Sequence, residues 1–130
     1  MNRLIILLIV ISLCLCGCTH KMPLQQPLDN ITRIELINEK NEGVQCTLTR
    51  EDIPQFMHDL MMLKCRKNLE PQGEIGYLQI HIFYENGDMD IIGRQGNART
   101  ENGEYIMDGW YKFSEEDLLK LFSYYIVQTP

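Results

Sequence analysis

Apolar and polar residues alternate on both sides of a turn pair in Leu78-Gln79-Ile80-His81-Ile82-Phe83-Tyr84-Glu85-Asn86-Gly87-Asp88-Met89-Asp90-Ile91-Ile92. Alternation with a period of two predicts two half-buried strands, over residues 76–85 and 88–94. The Asn86-Gly87 pair between them suits the left-handed dihedral angles of a two-residue type I′ turn. This segment is therefore predicted to form the central hairpin of an antiparallel sheet.

The length of the turn decides which side chains share a face of this hairpin. With two turn residues, Tyr84 lies opposite Met89 and Ile82 lies opposite Ile91. The predicted core face then carries Leu78, Ile80, Ile82, Tyr84, Met89 and Ile91. The predicted second face mixes aromatic, polar and acidic side chains: Tyr77, Gln79, His81, Phe83, Asp88, Asp90 and Ile92.

Shorter signals extend the sheet on both sides of the hairpin. Apolar residues separated by polar ones predict strands over residues 31–37 and 44–48, joined by a polar turn. Farther along the chain, Asn102-Gly103 predicts a second hairpin of the same kind, and residues 110–113 extend its last strand.

Two amphipathic helices complete the predicted domain. The first begins near Asp52 and Ile53, and the second begins at Ser114, which forms a capping pair with Asp117. The order strand, strand, helix, several strands, helix predicts an α+β fold. We expect an antiparallel sheet of about five to six strands with both helices packed on one face.

The amino-terminal segment has the layout of an export signal. Met1-Asn2-Arg3 is positively charged, and residues 4–15 are apolar apart from Ser12. This run is shorter than the roughly 20 apolar residues that a membrane-spanning helix needs. The following Leu15-Cys16-Gly17-Cys18 resembles the lipobox of bacterial lipoproteins, in which a leucine stands three residues before the modified cysteine and a small residue precedes it.

The resemblance implies a processed protein that is held on a membrane by lipid. In that family the chain would be cut before Cys18, whose thiol would receive a diacylglycerol. The implied organisation is a signal peptide over residues 1–17, a lipidated Cys18 and flexible tether over 18–29, and one globular α+β domain over 30–130. The implied location is the cell envelope, outside the cytoplasm. Thr19 replaces the aspartate of the family's inner-membrane retention signal. The resemblance therefore implies the outer membrane where the host has one, and otherwise the outer face of the cell membrane.

The charge balance argues against nucleic acid as a partner. Removing residues 1–17 removes one charged residue, Arg3, and leaves 113 residues with 11 basic and 18 acidic side chains. An acidic surface repels the phosphate backbone of nucleic acids. The length corresponds to one domain and leaves little room for a catalytic subdomain.

Side chains with distinctive chemistry are sparse in the predicted domain. A disulfide between Cys46 and Cys65 is permitted in an exported protein. Unless the predicted helix crosses the preceding strand steeply, it separates them by more than the roughly 7 Å that a disulfide allows between Cα atoms. The histidines lack metal-ligand spacing, and neither a CxxC nor an HExxH pattern occurs. We therefore assign no catalytic residue, no metal ligand and no cofactor.

Aromatic residues give the clearest indication of a binding surface. Trp110, Tyr77 and Phe83, together with His81, are predicted to lie on the sheet, where an exposed group would form a recognition patch. The alternative is that the aromatic rings fill a small core.

These observations favour a non-enzymatic domain that binds a protein or an envelope component. One alternative is a small envelope hydrolase that uses His81 with Asp88 or Asp90. Another is a structural or stress-related envelope lipoprotein without a small-molecule site. A deep pocket around His81 would favour the hydrolase, and a flat, open sheet would disfavour it.

Overall fold

The residues of the domain that the structure describes form eight strands and two α-helices. The computed structural model describes Arg3 and residues 24–41, 43–67, 75–109 and 111–128. The elements are β1 (Ile31–Asn38), β2 (Gly43–Leu48), α1 (Ile53–Met62), β3 (Cys65–Lys67), β4 (Leu78–Tyr84), β5 (Met89–Gly93), β6 (Asn97–Glu101), β7 (Glu104–Gly109), β8 (Tyr111–Phe113) and α2 (Glu115–Gln128).

Six strands form one antiparallel sheet in the order β2-β1-β4-β5-β6-β7, and β3 pairs with β8 in a separate two-stranded sheet. The predicted α+β class and the antiparallel sheet of up to six strands are confirmed. The small sheet was not predicted as such. Strand β3 has only three residues, and β8, which the sequence assigns to the end of the preceding hairpin, pairs with it instead.

The turn of the central hairpin is one residue longer than predicted. The Gly87 N–H donates to the Tyr84 carbonyl (3.0 Å), and the Tyr84 N–H donates to the Asp88 carbonyl (2.9 Å), so residues 85–87 form the loop. Gly87 has a φ of +88°, as in a type I turn followed by a bulge. Asn86 does not adopt the left-handed conformation. Its Oδ1 accepts the Asp88 N–H (3.0 Å), a local hydrogen bond that asparagine forms readily. The predicted type I′ turn is therefore wrong.

The extra loop residue shifts β5 by one position against β4. Ile82 lies opposite Asp90, and His81 lies opposite Ile91. Because side chains alternate along a strand, a shift of one residue exchanges the two faces of β5. The hairpin therefore directs Leu78, Ile80, Ile82, Tyr84, Asp90 and Ile92 to one side, and Met89 and Ile91 to the other.

The second hairpin has the predicted turn. Asn102 (φ +53°) and Gly103 (φ +81°) both adopt left-handed conformations, and Glu101 lies opposite Glu104. Two left-handed residues between paired strands define a type I′ turn.

The core is one apolar cluster with members from the large sheet, the small sheet and both helices. The Phe56 ring of α1 meets the Tyr125 ring of α2 edge-on, with 5.0 Å between centroids. The predicted cap of α2 is confirmed, because Ser114 Oγ accepts the Asp117 N–H (3.4 Å). The cluster includes Ile34, Leu36, Cys46, Leu48, Ile53, Phe56, Met57, Leu60, Cys65, Leu78, Ile80, Ile82, Tyr84, Ile92, Phe113, Leu118, Leu121, Phe122 and Tyr125.

Part of the segment that the sequence assigns to the tether lies against the domain. Leu24 packs on the core cluster. The Gln25 N–H donates to Asp90 Oδ2 (2.8 Å), and the Gln25 side chain donates to the Thr100 carbonyl (3.2 Å). Leu24 and Gln25 of the predicted tether therefore contact the domain, and residues 18–23 lie outside the described residues.

Candidate functional site

The large sheet has a core face and a second face, which we call the outer face. Residues that lie directly opposite each other on paired strands have their side chains on the same face of the sheet. On the outer face, β1 and β4 carry charged, polar and aromatic side chains, and β5 to β7 carry apolar and hydroxyl side chains. Its members are Arg33, Glu35, Ile37, Val44, Thr47, Gln79, His81, Phe83, Met89, Ile91, Ala98, Thr100, Tyr105 and Met107.

The outer face combines a buried middle with exposed apolar groups at its edges. Ile91 and Ala98 are buried near the middle. Val44 on the β2 edge is 52% exposed, and Tyr105 on the β7 edge is 54% exposed. Val44 and Tyr105 therefore expose apolar area at opposite edges of the outer face.

His81 is held on the outer face by a short chain of hydrogen bonds. Its Nε2 lies 2.9 Å from Gln79 Oε1, an amide oxygen that only accepts, so this histidine nitrogen carries the proton. The Gln79 amide nitrogen donates in turn to the Gly76 carbonyl (2.9 Å) and to Glu39 Oε1 (3.3 Å). The His81 ring also meets Phe83 edge-on, with 6.4 Å between centroids. The imidazole therefore has a fixed orientation.

Partial burial controls the protonation of His81. Burial lowers the pKa of the imidazole below 6.5, and the nearby Glu35 and Glu39 carboxylates oppose that shift. At neutral pH the side chain is neutral, and because Nε2 donates to Gln79, the nitrogen left for a partner is Nδ1, which accepts a hydrogen bond.

The protein is expected to lose stability in mildly acidic solution, in part through His81. A histidine with a lowered folded-state pKa binds its proton more readily in the unfolded state. The penalty is absent above pH 6.5 and grows as pH falls from 6.5 towards the folded-state pKa. Denaturant unfolding between pH 7.5 and pH 5 should therefore show a smaller loss of stability for His81→Gln than for the original protein.

His58→Gln provides the matched control for that measurement, because His58 is an exposed histidine on α1. An unchanged pH dependence in His81→Gln, or an equal change in His58→Gln, would show that His81 does not contribute.

Phe83 is the other predicted surface residue that the structure places on the outer face. The guanidinium carbon of Arg33 lies 3.9 Å from the centroid of the Phe83 ring. Arg33 Nε also pairs with Glu35 Oε1 (3.3 Å). A stacked cation and ring offer both apolar area and charge, a combination that is enriched at the centres of protein interfaces.

Tyr77 precedes β4, packs against the core cluster and is committed to contacts within the domain. Its hydroxyl hydrogen-bonds to the Glu115 carboxylate, and the Lys40 ammonium lies 3.9 Å from the centroid of its ring. Tyr77, Gln79 and Tyr105 line a cleft of about 510 Å³. The cleft makes the outer face concave beside Gln79 and Tyr105.

Trp110, the fourth predicted surface residue, and Cys18, the predicted lipidation site, lie outside the described residues.

The structure does not bring His81 together with Asp88 or Asp90. His81 lies opposite Glu35 and Ile91 on the outer face, whereas Asp90 lies opposite Ile82 on the core face. The arrangement required for the hydrolase alternative is therefore not assembled, because the alternative depended on the incorrect register of β5.

Sequence reasoning missed a polar cluster on the core side of the hairpin. Asp90 is buried, and its Oδ2 accepts hydrogen bonds from the Tyr84 hydroxyl (2.5 Å) and from the Gln25 N–H (2.8 Å). Burial raises the pKa of the Tyr84 phenol, and the hydrogen bond to Asp90 adds to this effect. Asp88 Oδ1 accepts the Asn102 N–H (3.0 Å), which joins the two hairpin turns. The cluster is a structural feature that fixes turns and the amino-terminal segment.

Cys46 and Cys65 are buried thiols that are not joined in a disulfide. The Cys46 thiol points to the Tyr125 carbonyl, at 3.9 Å. Burial raises the pKa of the Cys65 thiol to about 11, so this thiol stays protonated and is a poor nucleophile. The permitted disulfide is not formed in the structure.

In the ranges 24–41, 43–67, 75–109 and 111–128, no three histidine, cysteine or carboxylate side chains meet in a way that could hold a metal ion. No helix formed by the described residues has both the length and the apolar character needed to cross a bilayer.

Comparison of the chain with protein-family models, with curated proteins and with solved structures finds no match.

Proposed function

We propose that this chain is a bacterial lipoprotein that is anchored through Cys18 outside the cytoplasm and binds another protein of the envelope through its outer face. The role is non-enzymatic. The observation that carries the binding proposal is the composition of the outer face. His81, Phe83 and Arg33 lie side by side there, and Tyr105 is exposed on the same side of the sheet.

The core face is not available for the same role, since we infer that both helices cover it. Buried side chains of α1 and α2, such as Phe56 and Leu118, belong to the cluster that includes Ile34 and Ile82 from the middle of the sheet. With the helices on that side, the outer face is the large surface that remains for a partner.

The chemistry of the outer face favours a protein over a nucleic acid or a small molecule. Stacked arginine and aromatic groups, with apolar residues nearby, suit the buried centre of a protein interface. The chain has a formal net charge of −6, which disfavours polyphosphate backbones. The shallow distribution of groups across several strands suits an extended contact better than an enclosed ligand.

Photo-cross-linking in intact envelopes tests the binding surface. A photoreactive residue at position 105 is expected to give a discrete protein adduct, whereas the same residue at position 124 should not. Tyr124 is the matched control, because it is 57% exposed on α2, close to the 54% of Tyr105. The double substitution Arg33→Ala and His81→Ala should remove most of the adduct at position 105 while circular dichroism shows a folded domain. Equal adducts at positions 105 and 124, or an adduct that survives the double substitution, would contradict the proposed surface.

Metabolic labelling with an alkyne fatty acid tests the anchor separately. The original chain should incorporate the label, and Cys18→Ser should lose it completely, since a serine hydroxyl cannot form the thioether. Cys16→Ser is the matched control, because it changes a neighbouring cysteine and places serine at a position where the lipobox tolerates small residues. Labelling that persists in Cys18→Ser would exclude the proposed anchor, without bearing on the outer face.

A further inference from the structure

Three positively charged side chains line one cleft at the two-stranded sheet. Cys65 and Phe113 lie opposite each other, and both are buried in the core cluster. The next residue pair, Arg66 and Lys112, therefore directs its side chains to the other side of the small sheet. Both side chains line a cleft of about 400 Å³, together with Lys64.

The small sheet places two positively charged side chains directly opposite each other. Arg66 and Lys112 are cross-strand partners, and a like-charge pair in that position is destabilising. None of the three cleft cations forms an ion pair in the part of the chain that the structure describes. The basic residues that do form ion pairs there are Arg33, Arg50, Arg94, Arg99 and Lys120.

The remaining polar groups of the cleft match an oxyanion. Ser114 and Asp117 also line it, so the lining has three positive charges and one negative charge. Ser114 Oγ accepts the Asp117 N–H, which leaves the hydroxyl proton available for a second partner. A guanidinium binds two oxygens of one phosphate group at once, and lysines add point charges beside it.

We propose that this cleft binds a phosphate group, held by Arg66 and Lys112 with Lys64 and the Ser114 hydroxyl beside them. The bound anion supplies a counter-charge for the cross-strand pair, which forms no ion pair with the residues that the structure describes. The site lies near Arg94, at the end of β5 remote from the hairpin turn, because the Phe113 N–H donates to the Arg94 carbonyl. It is separate from the outer face, and the proposal does not depend on the proposed function.

Thermal unfolding of the purified full chain tests the site. At matched ionic strength, about 50 mM inorganic phosphate should raise the Tm by about 3 °C or more relative to sodium chloride, the shift expected for a site with millimolar affinity. In the double variant Arg66→Gln and Lys112→Gln, the phosphate-specific shift should disappear. The double variant should also be more stable than the original chain in low salt without phosphate, because the repulsion is removed. Arg50→Gln, at an exposed and distant arginine, is the control that should keep the shift.

A second arm distinguishes the source of the phosphate group. Soluble dihexanoyl phosphatidylglycerol presents a phosphodiester headgroup, and dihexanoyl phosphatidylcholine presents the same group without net charge. A Tm shift with inorganic phosphate alone would assign the site to free phosphate or a phosphate monoester, and a shift with phosphatidylglycerol as well would assign it to a lipid headgroup. No shift with either anion, or equal shifts in the original chain and the Arg66→Gln, Lys112→Gln variant, would overturn the proposal.

Discussion

Gly93→Ala is expected to lower the free energy of unfolding by about 3 kcal/mol or more, which is a large share of the stability of a domain this size. A Cβ atom at position 93 would lie 2.1 Å from Ile75 Cγ2 and 2.3 Å from the Ile75 carbonyl oxygen. The side chain of Ile75 could turn away, but its carbonyl accepts the Gln95 N–H (2.9 Å) and the backbone is held there. The added methyl group must therefore push β5 away from the segment at Ile75. Urea denaturation followed by circular dichroism measures the loss.

Gly87→Ala is the matched control for Gly93→Ala. Gly87 lies in the left-handed region (φ +88°), and a Cβ atom there meets nothing within 4 Å. The cost is then conformational alone, about 1–2 kcal/mol. A loss at Gly93 no larger than that at Gly87 would show that residues 75 and 93 are not in close contact.

Asp90→Ala is expected to cost about 2–4 kcal/mol, because it removes a buried charged acceptor and leaves its donors without a partner. Asp90 is 5% exposed and accepts from the Tyr84 hydroxyl and the Gln25 N–H. The loss should be accompanied by faster amide hydrogen exchange at Gln25, since this bond attaches the amino-terminal segment to the sheet.

Two further variants separate the contributions to the Asp90 prediction. Tyr84→Phe removes one donor and keeps the carboxylate bonded to Gln25, so its cost should be smaller than that of Asp90→Ala. The double variant Tyr84→Phe and Asp90→Ala should lose less than the sum of the two single changes, because the shared hydrogen bond is counted in both. Additive losses would mean that Tyr84 and Asp90 do not interact in solution.

The longer strands and both helices were readable from the sequence because each has a strong local pattern. The alternation around Ile80 and Ile82, and the helical spacing that starts at Ile53, follow from burial of one side of each element. Asn102-Gly103 also gave the correct turn, since both residues adopt the left-handed conformation.

The register of the central hairpin was not predictable from the turn residues alone. Asn-Gly pairs fit both a two-residue turn and a three-residue loop, and here the Asn86 side chain bonds to the Asp88 N–H and favours the longer one. One residue of loop length moved Asp90 from the outer face to the core and Ile91 in the opposite direction. One feature of the sequence was compatible with the longer loop. The Tyr84 hydroxyl can donate to a carboxylate on the core side of the hairpin, so an aspartate at position 90 can be buried there.

Long-range pairing explains the other differences. Strand β3 has three residues and no alternation to identify it, and its partner β8 lies more than 40 residues later in the chain. The cation cleft arises from this pairing, so the grouping of Lys64 and Arg66 with Lys112 cannot be read from their separate positions in the sequence. The shared face of His81 and Phe83 could be predicted from the sequence, because both residues lie on a single strand with strong alternation.

The attachment of Gln25 to the hairpin restricts how the domain could stand on a bilayer. An extended residue covers at most about 3.6 Å, so a chain fixed at Cys18 could carry Gln25 no farther than roughly 25 Å from the lipid surface. Gln25 is bonded beside Thr100 and Gln26 beside Asn86, near the hairpin turns. Under the proposed anchor, the hairpin turns would face the lipid and the Arg94 end would point away from it, so a lipid headgroup in the cleft near Arg94 would have to come from a facing membrane. With so short a stalk, the domain would reach only partners in the same membrane or directly above it.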